Sequence, residues 1–334
     1  MTESGGLRRG DYNVAWICPL PDVELLPARL MLDERHDPPQ IDTAYDDNTY
    51  ICGTVNGHRV VIATLPKGLT GNVNAGRLTG SLFKSFPNIK IALLVGIGGG
   101  VPRPSRSNDP LDDVHLGDVV VGWAGDGKPA VVYHDLGRSK VDGEFEMVGS
   151  IDKPEWGLVQ ALGVLSLNQE MEETTFPDQL ARLRGKAKFT APDPETDRLF
   201  EASYHHAGEE RLDCVLCDPA QLIRRPPRTV EQRATLVFHQ GRIATGNSVI
   251  RDGELRDRIS ARCGRVLCVE MEAAGVDVNG RCLVIRGISD YADSHKNDLW
   301  KHRAAGNAAA FARELLCTIQ AGAVRDMEGT VQGK

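Results

Sequence analysis

Two carboxylates one residue apart, Glu270 and Glu272 in "CVEMEAAG" (268–275), stand where an apolar strand ends and a helix begins. Side chains two apart on a strand share a face, so the pair would point into one pocket with Met271 between them. A second apolar strand, "VIRGISDYADS" (284–294), also ends in polar groups: Arg286, Ser289, Asp290 and Asp293. Strand ends loaded with acids suit general acid–base work or the stabilisation of developing positive charge. In α/β sheets ligands bind at the carboxyl ends of strands. The plain alternatives are a solvated charge for Glu272 in the first turn of a helix, favoured by its dipole, and an N-cap for Ser289 or Asp290. Two successive strands ending in acids favour a shared pocket.

A third segment, "LVGIGGGVP" (94–102), is a strand running into four glycines within five residues. Glycine allows close approach of a ligand, here to Gly98 and Gly99, or a tight turn with positive φ. The spacing is not G-x-G-x-x-G, because position 101 is Val and Pro102 leads into a loop where a dinucleotide fold would start a helix. A nicotinamide or flavin site is therefore excluded. Among eight cysteines, Cys214-Val-Leu-Cys217 alone has metal-type spacing. No second Cys or His pair follows at zinc-site spacing, so the pair reads as two reduced thiols under a loop. Neither a metal nor an organic cofactor is expected.

The elements that must position these residues alternate in type. Strands are expected from residues 13, 49, 59, 90, 118, 236, 265 and 282, the sixth as one run, "LVFHQGRIATG". Helices are expected over 22–34, 71–86, 251–262, 271–279 and 299–320. This pattern predicts one α/β domain, a mixed central β-sheet flanked by helices, over residues 12–321. The polar, proline-broken stretch 150–230 reads as a helical and loop insertion or cap. Residues 1–11 and 322–334 read as flexible ends. The 334 residues are 41% apolar, enough for a sizeable core. A net charge of −7 argues against nucleic-acid and anionic-membrane partners. The polar start lacks a signal peptide, and no apolar run approaches the roughly 20 residues that span a bilayer. A cytoplasmic protein acting on a small molecule is expected.

"VEMEAAG", "VIRGISDYAD" and the Gly-rich strand end, in this order, resemble the nucleoside phosphorylase superfamily, which includes purine nucleoside phosphorylases and methylthioadenosine/S-adenosylhomocysteine nucleosidases. "ICPLP…ARLMLDE", "FHQGRIATGN" and "RRPPR" are closer still to its fungal branch, whose domains occur alone or joined to NTPase and repeat domains. The resemblance covers residues 12–320. It implies cleavage of the N-glycosidic bond of a purine nucleoside through an oxocarbenium-like transition state. On this resemblance Asp290 protonates or hydrogen-bonds the departing purine, and Ser289 orients it. Glu272 grips the ribose hydroxyls and supports the cationic sugar. Met271 lies along the sugar, Arg286 holds the ribose side or pairs with an acid, and Glu270 lies beside them. Val249 and Ile250 flank the base, and His134 reaches the 5′ side from this or a partner subunit. A homodimer is the family expectation.

Phosphorylases of the family bind phosphate with an Arg and a Ser at positions that here read Leu94 and Ile97, and the first loop reads "CPLPDVE". A buried dianion without cationic donors is strongly disfavoured, so water is the expected nucleophile. In the nucleosidase branch a first-loop Glu activates it. Glu24 is the candidate, one position later than the usual spacing, with Asp22 as the alternative. Asp at position 290, where many 6-oxopurine phosphorylases carry Asn, favours adenosine-like substrates, with inosine or guanosine as the alternatives. Two rivals stand beside this reading. One is a phosphorylase whose anion site uses Lys67 or Arg77, and the other is a catalytically silent module that senses nucleosides.

Overall fold

A computed structural model describes residues 7–103, 108–125, 127–141, 145–151, 153–208, 213–276 and 282–327. The strands in chain order are β1 (Val14–Cys18), β2 (Glu34–His36), β3 (Tyr50–Val55), β4 (His58–Thr64), β5 (Ile91–Gly100), β6 (Val119–Gly122), β7 (Val131–Tyr133), β8 (Gly137–Ser139), β9 (Phe145–Met147), β10 (Ser150–Ile151), β11 (Phe238–Gly241), β12 (Ile243–Thr245), β13 (Cys268–Glu270) and β14 (Cys282–Asp290). The helices are α1 (Leu26–Leu30), α2 (Asn72–Ser85), α3 (Trp156–Glu170), α4 (Phe176–Ala181), α5 (Val230–Ala234), α6 (Gly253–Arg262), α7 (Ala273–Val276), α8 (Lys301–Thr318) and α9 (Ala321–Asp326).

Twelve of the strands form one mixed sheet, and β8 and β9 form a separate hairpin pair. The largely apolar runs of β1, β5 and β14 are what strands covered on both faces require. All five residues of β1 and all nine of β14 are buried. The sheet turns on β5. Its first half lies parallel to β1 on one side, with Ile91 opposite Val14, and β14 runs parallel along the other side. Its last two residues leave β1 behind and pair antiparallel with β13. The ends of β13 and β14, with their acids, are thereby brought to the same end of one strand.

The glycine run does not turn. β5 continues through Gly100, and Gly96, Gly98, Gly99 and Gly100 are absent from the glycines with positive φ. They are bare because neighbours press on the strand. A Cβ on Gly98 would come within 2.5 Å of Cys268 Sγ, and one on Gly100 within 2.7 Å of Ile288 Cγ2.

The mixed α/β architecture agrees with expectation, and several boundaries do not. The run from 236 is two strands: β11 pairs with β6, whereas β12 joins β7 and β13. The first helix is a π-helical turn, Pro21–Leu25, followed by α1, and it stops at Leu30 before β2. The helix expected over 271–279 is described as α7, and positions 277–281 lie outside the described residues. The stretch 150–230 is not all insertion. Leu158, Leu162 and Leu165 of α3, Phe176 of α4, and Leu183 and Phe189 belong to the main hydrophobic core. The end expected to be flexible from 322 carries α9, with Val324 buried, and a 3-10 turn at Arg9–Asp11 lies inside the N-terminal stretch expected to be flexible.

Helix α8 closes the core. Residues 304–316 are all buried, between β5 and β14 on one side and α3 and α4 on the other. Its alanines permit that closeness, while buried Phe311 and Leu315 each contribute roughly 2–3 kcal/mol through removal from water. Its buried Arg313 is partnered: it donates to Gln179 Oε1 at 2.7 Å and to Asp33 Oδ1 at 2.7 Å. Where α8 crosses β14, a Cβ on Gly287 would collide with the backbone of Ala304. Gly287→Ala is therefore expected to cost at least about 2 kcal/mol of stability through overpacking, read from the urea midpoint. An unchanged midpoint would contradict this packing.

Candidate active site

Glu270, Glu272 and Arg286 meet below the end of β5. Arg286 is the largest charged side chain in the core, 1% exposed. Its Nη2 donates to Glu270 and, at 3.1 Å, to Glu272 Oε2, and its Nη1 donates to the Ile97 carbonyl at 3.3 Å. Glu270, the last residue of β13, also accepts from the backbone N–H groups of Glu272 at 3.1 Å and Ala273 at 3.0 Å, so it caps the turn into α7. Glu272 is not a solvated helix charge: it is buried, and its Oε1 accepts from Gly71 N at 3.2 Å, at the N-terminus of α2. Gly71 has φ +91°, a conformation open to glycine. Helices α2 and α7 approach closely enough that a Cβ on Gly275 would collide with Asn72.

A third carboxylate joins from the π-helical turn. Glu24 is buried, with Oε2 accepting from Leu20 N at 2.7 Å and Oε1 from Ile97 N at 2.8 Å. A Cβ on Gly96 would lie 2.5 Å from Arg286 Nη1 and collide with Glu24 Oε1. The first glycine of the run is therefore bare to admit this charge cluster. Burial pushes Glu24 up to about 7 against the pull of Arg286, with Glu272 adding repulsion. Glu272 is raised by burial as well, and the carboxylates raise Arg286 above the usual guanidinium range. Asp22 stands apart, exposed and paired with Lys67 at 3.0 Å.

Asp290 ends β14 at a register irregularity between Ile288 and Asp290, the kind of bulge that re-aims a side chain. Its Oδ2 accepts from Ser289 Oγ at 2.7 Å and from Lys296 Nζ, and its Oδ1 accepts from Ala292 N at 3.0 Å. Ala292 has φ +51°, and a Cβ on Gly99 would lie 2.8 Å from its methyl group. A cavity of about 290 Å³ opens over these groups. Gly98, Gly99, Val249, Ile250, Glu270, Met271, Glu272, Ser289 and Asp290 all line it, with Leu20, Ile97 and Lys296 among the rest. Glu24 and Arg286 lie beneath, joined to the lining through Leu20, Ile97 and Glu272.

His134, another expected residue, is also not brought to the cavity lining. It follows β7, is buried so closely against Gly246 that no Cβ fits there, and donates its N–H to the Thr245 carbonyl at 3.0 Å. Burial lowers its pKa. Lys67 and Arg77 are also absent from the lining: each is exposed, and Arg77 pairs with Asp47 at 2.6 Å. Residues that sequence reasoning missed include Lys296 on Asp290, Gly71 on Glu272, and the lining cations Arg251 and Lys301. No spacing rule marks Lys296, whose partner lies six residues back across an irregular turn.

The phosphorylase superfamily profile matches residues 14–325. A nucleotide-binding leucine-rich repeat (NLR)-like protein of Hyaloscypha variabilis is 36% identical over 336 aligned positions, which cover 97% of this chain and 31% of that protein. ATP nucleosidase Cap17 of Escherichia coli is 25% identical over 245 positions, 72% of this chain and 38% of that protein. The chain thus spans about a third of the length of these relatives. Among solved structures, futalosine hydrolase of Helicobacter pylori superposes with a TM-score of 0.57 at 16% identity, covering 92% of this chain and 97% of that one. The methylthioadenosine/S-adenosylhomocysteine nucleosidase of Neisseria meningitidis, in complex with methylthio-immucillin-A, gives 0.56 at 18%, covering 92% and 99%. At these identities the structural likeness concerns the fold.

Removing the guanidinium leaves three buried acids without their cation. Arg286→Gln should cost about 3–5 kcal/mol. The deficit should deepen between pH 5 and 8, because a buried acid whose folded pKa is raised loses stability as pH rises through that value. Thermal melts at both pH values test this, and an equal deficit at each would refute the assignment.

Proposed function

The chain belongs to the phosphorylase superfamily, and from that premise we propose that its cavity hydrolyses the N-glycosidic bond of an adenosine-type purine nucleoside, releasing free base and sugar. The observation that carries the reading is the three-carboxylate cluster under the cavity, held by a single guanidinium. As the bond breaks, positive charge develops on the sugar and negative charge on the base. A preorganised negative cluster in a buried site stabilises the sugar cation. Glu272, on the lining, is the carboxylate placed to meet the ribose, with Met271 beside it.

At the other end Asp290 hydrogen-bonds or protonates the departing purine, with Val249 and Ile250 against the base. Ser289 and Lys296 hold the Asp290 carboxylate in place, and the Lys296 ammonium supplies a proton-bearing partner. Glu24, with its pKa raised to about 7, is matched to removing a proton from water near neutral pH. The exposed Asp22–Lys67 pair lacks that environment. Attack by phosphate is disfavoured, because a dianion entering beside Glu24 and Glu272 meets net negative charge. Leu94 is fully buried, and Lys67 and Arg77 are paired outside the lining.

A second reading, an adenine nucleotide as substrate, is favoured by Arg251, Lys296 and Lys301 on the cavity lining and by the relative named ATP nucleosidase. Adenosine, inosine, methylthioadenosine and ATP are therefore compared in phosphate-free buffer by chromatography of released base. Base release without phosphate is expected, and ribose 1-phosphate remains absent when phosphate is added. Release that requires phosphate would make the protein a phosphorylase, and binding without release would make it a sensor.

Asp290→Asn should lower kcat by at least about a hundredfold, the usual size of a general-acid contribution, and Glu272→Gln should cause a comparable loss. For wild type, kcat/KM should rise with pH through about 7, because Glu24 acts ionised. In Glu24→Gln the residual rate should lose that acidic limb. A limb that persists in Glu24→Gln would remove Glu24 from the reaction.

A further inference from the structure

Away from the cavity, the described residues between β-bridge partners Phe200 and Leu222 hold very little regular structure. Its described elements are two 3-10 turns, Cys214–Leu216 and Pro219–Gln221. Its hydrophobic cluster consists of Phe200, Cys214 and Cys217, with Tyr204, Ala207 and Leu222 at the edge. A cluster this small gives little stability, and segments of this kind are commonly stapled by a disulfide or a metal. Both thiols are free and buried.

His206 completes a donor set. One ring nitrogen of His206 and the sulfurs of Cys214 and Cys217 lie within 4.8 Å of one another. His206 Nε2 is buried without a hydrogen-bond partner. A buried imidazole nitrogen without a partner is costly, and a metal ion relieves that cost. Tetrahedral zinc, with Zn–S near 2.3 Å and Zn–N near 2.0–2.1 Å, spaces its ligand atoms about 3.5–3.8 Å apart. The three donors need to close by only about an ångström. The neighbouring imidazole is His295, its ring centroid 5.6 Å from that of His206 and both its ring nitrogens buried without a hydrogen-bond partner, Nδ1 lying 3.7 Å from Asp293 Oδ1.

We propose that His206, Cys214 and Cys217 bind one zinc ion, which ties the 200–217 segment to the turn that follows Asp290. That turn is already next to the donors: His206 N donates to Ser294 Oγ at 2.9 Å, and the His295 ring stacks on Phe200 at 4.1 Å. Thiolate and imidazole donors select a soft or borderline dication such as zinc over magnesium or calcium. On binding, two S–H bonds give way to two Zn–S bonds, both thiol protons pass to solvent, and neutral His206 donates its lone pair, with no change of oxidation state. The proposal departs from the expectation from sequence of two plain thiols because the third donor precedes the pair by eight residues, outside the familiar zinc spacings.

The test is metal content and spectroscopy on the full chain. Wild type purified without chelator should contain one zinc per chain by mass spectrometry, and Cys214→Ser/Cys217→Ser should contain none. Cobalt loaded into the chelator-stripped protein should give a thiolate-to-cobalt charge-transfer band with the visible bands of a tetrahedral ion. His206→Gln should weaken zinc binding at least about tenfold. Should the double variant fail to fold, the wild-type cobalt spectrum and His206→Gln still decide. Folded wild type with no zinc and no thiolate–cobalt band after loading, or a mapped Cys214–Cys217 disulfide, would overturn the proposal.

Discussion

One guanidinium set against three carboxylates, all out of water, is the constraint around which this protein is arranged. Arg286 touches Glu270 and Glu272 directly, and Glu24 lies close enough to feel its charge. Removing such groups from water costs several kcal/mol per ion. The fold offsets that cost with backbone donors: Leu20 and Ile97 to Glu24, Gly71 to Glu272, and Ala273 to Glu270. These donors come from four parts of the chain, so the cluster forms only when the tertiary structure is complete.

The sheet makes room for it. Strand β5 carries glycine wherever β13, β14 or the π-helical turn presses a side chain onto it: Gly96 under Glu24 and Arg286, Gly98 under Cys268, and Gly99 under Ala292. On the far side, Gly287 lets α8 lie directly on β14. The same strand can therefore be fully buried on both faces and still deliver Arg286 and Asp290 to one cavity. A bulge after Ile288 and a left-handed Ala292 then aim Asp290. Backbone strain of this kind gathers at functional sites, where surrounding packing can hold it.

Charge is divided along the cavity, and in the proposed hydrolysis this division would give the chemistry its direction. The end with Glu24, Glu270 and Glu272 is net negative around one cation, suited to a sugar that becomes cationic. The opposite end pairs Asp290 with Lys296, suited to a base that leaves with an electron pair. An attacking anion and a developing cation would make opposite demands on the first end, and in the proposed reaction the residues present there suit the cation.

Much of this was legible in the sequence. Apolar runs of β-branched residues announced the mixed sheet, and acids at two successive strand ends announced a pocket containing Glu272, Ser289 and Asp290, because side-chain alternation and strand polarity are local rules. Other features were not legible. Whether Glu24 or Asp22 joins the charge cluster under the cavity depends on a π-helical turn that buries one and exposes the other. Lys296 reaches Asp290 through irregular backbone, and His206 lies near Cys214 and Cys217 at a separation in sequence that follows no period. The glycines of β5 gave no sign of whether they served a turn, a ligand or a neighbour, since a missing side chain does not say what fills its place. The sequence by itself determined which segments are strands and where their acids fall, because hydrophobic patterning sets burial locally. Which charges share one guanidinium, and that burial raises Glu24, only the tertiary structure decided, because desolvation and Coulomb attraction depend on distances between groups far apart in the chain.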